Sequence, residues 1–281
     1  MSGFVTRFAP SPTGLLHLGH AASALRVQDL AQAAGGTIRL RIEDIDTARC
    51  RPEFEAAILE DLAWLGLEWQ GPVRRQSEHF EAYAQVIDKL HQRGLAYRCF
   101  RTRREVAAEA DRAPHQREAV FRGSPLPVAE EQARLSAGDP HAWRLSIAAA
   151  RDWLGADADN LVYTETGMPG ETQVRVATDT LSDVVIGRKD SPASYHLAAC
   201  HDDALQGVSH VIRGEDLVPS TPVHVLLQAL MGWPRPVYHH HRLLLDENGK
   251  RFAKRDASVT LRHLRESGVT PEQIRRMTSR P

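Results

Sequence analysis

Arg7-Phe8-Ala9-Pro10-Ser11-Pro12-Thr13-Gly14-Leu15-Leu16-His17-Leu18-Gly19-His20 decides the fold, because it carries the chain from a strand to a helix through a turn of prolines and glycines. Residues 5–8 are short, apolar and β-prone. Pro10 and Pro12 then fix φ and withdraw two backbone donors, which ends any ladder. Gly14 and Gly19 remove side chains where a backbone or a ligand must come close. His17 and His20 are three residues apart and share one face of the helix start. Unpaired N–H groups and the helix dipole favour anions there. Paired imidazole donors on such a turn suit a nucleoside triphosphate and its leaving phosphate. The competing reading is a polar helix start with two solvated histidines.

Working outward, residues 21–34 are Ala- and Leu-rich and helical in pattern, ending at Gly35-Gly36. Residues 37–42 follow as a strand that closes with Glu43-Asp44-Ile45-Asp46. Strand, helix and strand over this length form a βαβ unit and imply a parallel sheet in an α/β fold. Ligands then belong at the carboxyl ends of the strands, where 7–11 and 43–46 both fall. Helices are expected over 52–65 and 79–93, with a packing corner at Trp64-Leu65-Gly66-Leu67. The stretch 97–182 is Arg-rich, weakly periodic and broken by Pro114, Pro125, Pro127, Pro140 and Pro169. It reads as an insertion rather than part of the sheet. Apolar order returns at 183–186 and 195–199, then a strand over 208–213, a helix over 222–231 and a strand over 238–245.

Composition narrows the class. The chain has 281 residues, 25% charged and 42% hydrophobic, with a formal net charge of −1. That is long enough for a sizeable core and two subdomains. No apolar run approaches the ~20 residues that span a membrane. The start, Met1-Ser2-Gly3-Phe4, lacks the basic-then-apolar pattern of a signal peptide, so a cytoplasmic location is expected. Cys50, Cys99 and Cys200 are odd in number and far apart, which argues against a disulfide framework or a four-thiolate zinc site. With no global basic excess, any nucleic acid must be met by a local patch. Of 35 basic residues only Lys89, Lys189, Lys250 and Lys254 are lysines, and two of them fall in Asn248-Gly249-Lys250-Arg251-Phe252-Ala253-Lys254-Arg255. A compact, mobile ammonium differs chemically from the planar guanidinium used elsewhere.

Four motifs occur in order: the opening run, Arg41-Ile42-Glu43-Asp44-Ile45-Asp46, Val211-Ile212-Arg213-Gly214-Glu215-Asp216-Leu217, and Gly249-Lys250-Arg251-Phe252-Ala253-Lys254-Arg255. Together they resemble the catalytic core of the class I glutamyl-tRNA synthetase family, from about residue 4 to 255. The resemblance implies a Rossmann-like parallel-sheet core over 1–96 and 183–248, with an inserted α+β subdomain of acceptor-binding type over 97–182. A lysine loop and a helical stem-contact segment would occupy 249–281. Family members carry an anticodon-binding region after the lysine loop, whereas 26 residues follow Arg255. The likeness is therefore to the truncated branch of the family, without an anticodon-binding domain. That branch activates L-glutamate with ATP and Mg2+ in the absence of tRNA. It then esterifies glutamate to queuosine in the anticodon loop of tRNA(Asp), acting as a monomer. Conventional charging of a tRNA 3′ end and a non-catalytic tRNA-binding paralogue are the alternatives.

The resemblance carries roles onto matching residues. His17, His20 and Lys254 would be catalytic, His17 and His20 donating to the phosphates and Lys254 meeting the pyrophosphate charge. Gly19, Lys250, Arg251, Phe252, Ala253 and Arg255 would complete the ATP site, and Gly249 would let the loop close. Arg7, Phe8, Ala9, Pro10, Ser11, Glu43, Tyr195 and Arg213 would hold glutamate. Glu43 would face its ammonium, Arg7 and Arg213 its carboxylates, with the assignment between the two arginines open. Three departures stand out. Cys99-Phe100-Arg101 keeps one thiol of a family zinc set, so no zinc is expected and the insertion should be held by packing alone. His239-His240-His241 offers no substitute, since alternate strand residues face opposite ways. Ala253 replaces a usual Ser, and Arg242 a usual Pro. Candidate tRNA contacts are Arg98, Arg101, Arg103, Arg104, Arg262, Arg265, Arg275 and Arg276, and binding through them should be weak and steeply salt-dependent.

Overall fold

The computed structural model describes residues 3–110, 120–167, 170–245 and 260–279. Strand β1 (Val5–Phe8) and strand β2 (Thr37–Ile42) pair in parallel, from Val5 opposite Thr37 to Phe8 opposite Leu40. Helix α1 (Leu18–Ala33) makes the crossover and buries Ala21, Ala24, Leu25, Val27 and Ala31. So many alanines on the inner face let the helix lie close to the strands. Helix α2 (Pro52–Trp64) starts on a proline with Glu53 and Glu55 in its first turn, which suits a helix N-terminus. Strand β3 (Arg74–Arg75) adds to β2 in parallel. Helix α3 (Phe80–Gln92) buries Tyr83, Val86, Ile87 and Leu90.

The middle of the chain supplies strand β4 (Ala96–Cys99), helices α4 (Arg103–Ala110) and α5 (Val128–Ser136), strand β5 (Ala142–Leu145), helix α6 (Ile147–Leu154), and strands β6 (Val162–Glu165), β7 (Thr172–Arg175) and β8 (Val184–Gly187). Then come helix α7 (Tyr195–Leu205), strand β9 (His210–Gly214), helix α8 (Thr221–Met231), strand β10 (Val237–His241), and helices α9 (Leu261–Glu266) and α10 (Pro271–Thr278). Strands β9 and β10 pair in parallel. Strand β1 runs beside β9: Ser209 N–H donates to Val5 O at 2.9 Å, and Val5 N–H to Ser209 Oγ at 2.8 Å. The carboxyl ends of β1, β2, β9 and β10 thereby converge. One apolar cluster packs α1, α2, β1 and β2 with Leu261 and Ile274 of the last two helices; the other joins α3, α7 and α8.

The stretch 97–182 was expected to lie outside the sheet, yet β6 pairs in parallel with β10, Glu165 opposite Tyr238, and β7 extends the same sheet. Strand β8, by contrast, joins β4 and β5 in a separate antiparallel sheet. Both pairings are long-range, so neither leaves a local periodic signal. The strand expected over 238–245 ends at His241.

The middle region is also held by more than apolar packing. Guanidiniums stack on rings, Arg98 over Trp143 at 4.4 Å and Arg144 over Phe121 at 4.8 Å. Asp183 knots three segments together, accepting from Tyr97 Oη at 2.8 Å, Gly123 N at 2.8 Å and Ile147 N at 2.9 Å.

Candidate active site

The start of α1 is capped by histidine rather than by Ser, Thr, Asp or Asn, the usual residues. His17 is the N-cap, with extended backbone at φ −128° and ψ 176°. Its Nδ1 accepts from Gly19 N–H at 3.1 Å, and His20 Nδ1 accepts from His17 N–H at 3.2 Å. This is a capping box built from two imidazoles, with ring centroids 3.8 Å apart. Because each Nδ1 accepts, each neutral ring carries its proton on Nε2. The cap thus fixes both rings as Nε2–H donors.

These rings open onto a cavity of about 380 Å³ at the convergent strand ends. Its walls include Arg7, Phe8, Ala9, Pro10, His17, Gly19, His20, Glu43, Tyr195 and Arg213, all expected from the sequence. Ser11 is not among the lining residues, while Ser23, Asp216, Leu217, His241, Leu243 and Leu244 line it unforeseen. Lys250, Arg251, Phe252, Ala253, Lys254 and Arg255 lie outside the described residues. The flanks of that segment meet the cavity. Leu243 and Leu244 line it, and beyond the segment Thr260 forms an antiparallel bridge with His17, with Leu261 N–H donating to Leu16 O at 2.8 Å.

The arginines divide into two kinds. Arg7 Nε donates to Asp203 Oδ1 at 3.1 Å, and Arg41 Nη1 to the same oxygen at 2.7 Å. Arg41 Nη2 also holds Glu43 Oε1 at 3.1 Å. Burial pushes the Glu43 carboxyl up, against the opposing pull of Arg41 and Arg7. Burial likewise works against the Arg41 charge, yet Asp203 and Glu43 hold its guanidinium still more firmly protonated than usual.

Arg213 is different. It is 5% exposed, and its partners are His240 Nε2, Tyr195 Oη, His224 Nδ1, Leu217 O and Thr221 Oγ1, at 2.7–3.3 Å. None of these is a carboxylate. Burial lowers the pKa of His224 well below the usual histidine value, lowers that of His196 to about 4 and lowers that of His240, so the surrounding rings are neutral. The buried guanidinium therefore has no opposing formal charge among these partners.

Sequence reading missed Asp203, Glu165, Thr221, His224 and the role of His240. Only Asp203 carried a signal, as one of two adjacent acidic residues between the apolar run at 195–199 and the strand expected from 208.

Cys99 is buried and lines a small cleft with Arg98, Arg101, Arg134, Glu105 and Glu130. Among the described residues no group of three His, Cys, Asp or Glu is arranged to hold a metal. The three adjacent histidines diverge: His239 meets Thr166 Oγ1 at 3.1 Å, His240 meets Glu165, and His241 meets Ser23 Oγ at 3.0 Å.

Arg242 is exposed and does not line the cavity. Several candidate tRNA arginines have structural partners: Arg98 with Glu131, Arg101 with Glu109, Arg265 with Glu60 and Arg275 with Asp29. No helix among the described residues is long and apolar enough to cross a membrane.

Residues 4–280 match the family model for the catalytic domain of class I tRNA synthetases (E and Q). The chain belongs to that family and is an aminoacyl-tRNA synthetase-type ligase. It is 44% identical to a glutamyl-Q tRNA(Asp) synthetase of Rhodobacter capsulatus over 97% of this chain and 99% of that protein. It is 39% identical to a glutamyl-Q tRNA(Asp) synthetase of Nocardia farcinica, over 97% of this chain and 82% of that one. A glutamate–tRNA ligase of Aquifex aeolicus is 37% identical over 98% of this chain, which spans 56% of that enzyme. The crystal structure of a glutamate tRNA ligase from Elizabethkingia meningosepticum in complex with its amino acid superposes with a TM-score of 0.72 at 30% identity. It covers 91% of this chain and 52% of that one.

Proposed function

We propose that this protein condenses L-glutamate with ATP to glutamyl-adenylate without tRNA, then transfers the glutamyl group to queuosine at the wobble position of tRNA(Asp). A glutamate carboxylate oxygen attacks the α-phosphorus while the bond to pyrophosphate breaks. No side-chain nucleophile is required, so the protein's work is positioning and charge neutralisation. Mg2+ bound together with ATP would supply screening of the phosphate charge. The Nε2–H groups of His17 and His20 donate to phosphate oxygens as charge moves toward the leaving group. Lys254, in the segment of sequence between Leu245 and Thr260, meets the pyrophosphate charge in this reading.

Glutamate lies against Glu43 through its ammonium and against Arg7 and Arg213 through its carboxylates. The observation that carries this reading is Arg213, whose buried guanidinium has only neutral partners. Arg7 already shares the Asp203 carboxylate. Arg213 is therefore the group that distinguishes the glutamate side chain from that of glutamine, because an amide leaves its charge unmet.

For the acceptor, support comes from resemblance: 44% identity over 99% of the R. capsulatus glutamyl-Q tRNA(Asp) synthetase, against 37% over 56% of the A. aeolicus ligase. The test incubates protein, ATP and labelled glutamate with tRNA(Asp) with and without queuosine, then cleaves the product into anticodon and 3′-end fragments. Label is expected only with queuosine and only on the anticodon fragment. Label on the 3′ terminus would establish conventional charging instead.

A further inference from the structure

Behind Arg213 lies a buried dyad that touches no ligand-facing surface. Glu165, at the end of β6, accepts through Oε1 from His240 N–H at 3.0 Å and Gly167 N–H at 2.7 Å. Its second oxygen, Oε2, meets His240 Nδ1. A Cβ added at Gly167 would lie 2.1 Å from the His240 carbonyl oxygen, so only glycine lets this backbone approach. On the far side of the ring, His240 Nε2 faces Arg213 Nε at 3.1 Å and Thr221 Oγ1 at 3.2 Å. Thr221 Oγ1 in turn accepts from Arg213 Nη2 at 2.7 Å.

The donors settle the ring's proton. Arg213 Nε–H can only donate, and the Thr221 hydroxyl, once it accepts from Arg213, has its own hydrogen to give. Both point at His240 Nε2, which must be an unprotonated acceptor. The ring hydrogen then sits on Nδ1 and is donated to Glu165. A carboxylate in the place of His240 would hold Arg213 more tightly but would cancel its charge. An imidazole accepts without cancelling, provided its tautomer is fixed.

We infer that Glu165 is a positioning residue for the anion-binding arginine: it locks His240 as the Nδ1–H tautomer, and His240 then orients Arg213 toward a ligand carboxylate while leaving its charge unpaired. This rests on the reading of Arg213 as the glutamate-side-chain contact. It gives β6, reached from a sequence region read as an insertion, a part in substrate selection.

The variant Glu165→Gln isolates the effect. All three neighbours of the Glu165 carboxylate are donors, so a glutamine must turn its NH2 toward one of them. Keeping the two backbone bonds puts that NH2 against His240 Nδ1, moves the ring proton to Nε2 and opposes it to Arg213 Nε–H.

The experiment reads the His240 imidazole 15N shifts by NMR in the ligand-free protein, assigned with His240→Gln, and measures glutamate and ATP affinity by calorimetry. The expected result is an Nδ1–H ring in the parent protein and an Nε2–H ring in Glu165→Gln. Glutamate should bind the variant about ten-fold more weakly, as for loss of a bond to a charged group, with ATP affinity unchanged. An Nε2–H ring in the parent protein, or unchanged glutamate affinity in a folded variant whose ring has switched, overturns the inference. If the variant does not fold, the parent tautomer alone decides. A parent protein with the Nδ1–H ring that fails to bind glutamate sinks the functional reading and leaves the tautomer assignment standing.

Discussion

Asparagine at position 203 keeps the shape of Asp203 and removes one negative charge from between two guanidiniums. Asp203 Oδ1 lies 3.1 Å from Arg7 Nε and 2.7 Å from Arg41 Nη1, and the Asp203 and Arg7 side chains are 7% and 5% exposed. Arg41 is fully buried and would retain Glu43 and Gln206, whereas Arg7 would retain only the Ile212 carbonyl oxygen among these contacts. Removing one partner of a buried ion pair costs roughly 3–5 kcal/mol, because the other charge is left without compensation. The amide oxygen still accepts a hydrogen bond, which returns about 1 kcal/mol. Asp203→Asn should therefore lose about 3 kcal/mol. At roughly 2–4 °C per kcal/mol for a large domain, that lowers Tm by about 6–12 °C. Thermal and urea unfolding measure the loss, with Asp190→Asn as control. Asp190 pairs with Arg188 at 2.6 Å on an exposed surface and should matter by less than about 1 kcal/mol. Glutamate affinity should fall with Asp203→Asn, since Arg7 lines the cavity, while ATP affinity holds. A variant that melts within about 2 °C of the parent and binds glutamate normally would refute the buried-bridge reasoning.

Other outcomes follow from the same geometry. Burial pushes the Asp61 carboxyl up to about 6 from an ordinary 3.8, and neither of its oxygens has a hydrogen-bond partner among the described residues. The folded state then holds a proton the unfolded chain has lost, so stability falls as pH rises from about 4 to 6 and the penalty is complete above that window. Asp61→Asn should gain about 1–3 kcal/mol at pH 7.5 and almost nothing below pH 4, read by urea unfolding at both pH values. At the helix cap, His17→Asn preserves an acceptor for Gly19 N–H but loses the Nε2–H donor. It should unfold within about 0.5 kcal/mol of the parent yet lose activation, whereas His17→Ala should also lose about 1 kcal/mol. Equal activity in His17→Asn would remove the imidazole from the chemistry. Arg213→Lys cannot reproduce a fork held by five acceptors. Calorimetry should show glutamate binding weakened by at least about ten-fold, with ATP binding retained.

The motif residues were legible because chemistry and backbone requirement coincide in short runs. Pro10, Pro12 and Gly14 announce the turn, and the β1–α1–β2 unit follows from local pattern with Val5 opposite Thr37. What stayed hidden are the partners that give those residues their states. Asp203 is separated from Arg7 by 196 residues, and Glu165 from His240 by 75. Burial and pairing over such distances leave no periodicity. The histidine cap was half legible: spacing put His17 and His20 on one face, but a capping box is ordinarily announced by Ser or Thr followed by Glu or Gln. The arginines of the middle region were read as candidate tRNA contacts; their intramolecular partners, such as Trp143 and Glu131 for Arg98, lie outside their own neighbourhood in sequence.

The central claim is that this cavity activates glutamate by itself. Pyrophosphate exchange into ATP, measured with L-glutamate and no tRNA, tests it directly. The account predicts glutamate-dependent exchange, with little from glutamine or aspartate. Absence of exchange without tRNA, or equal exchange with glutamine, would contradict it.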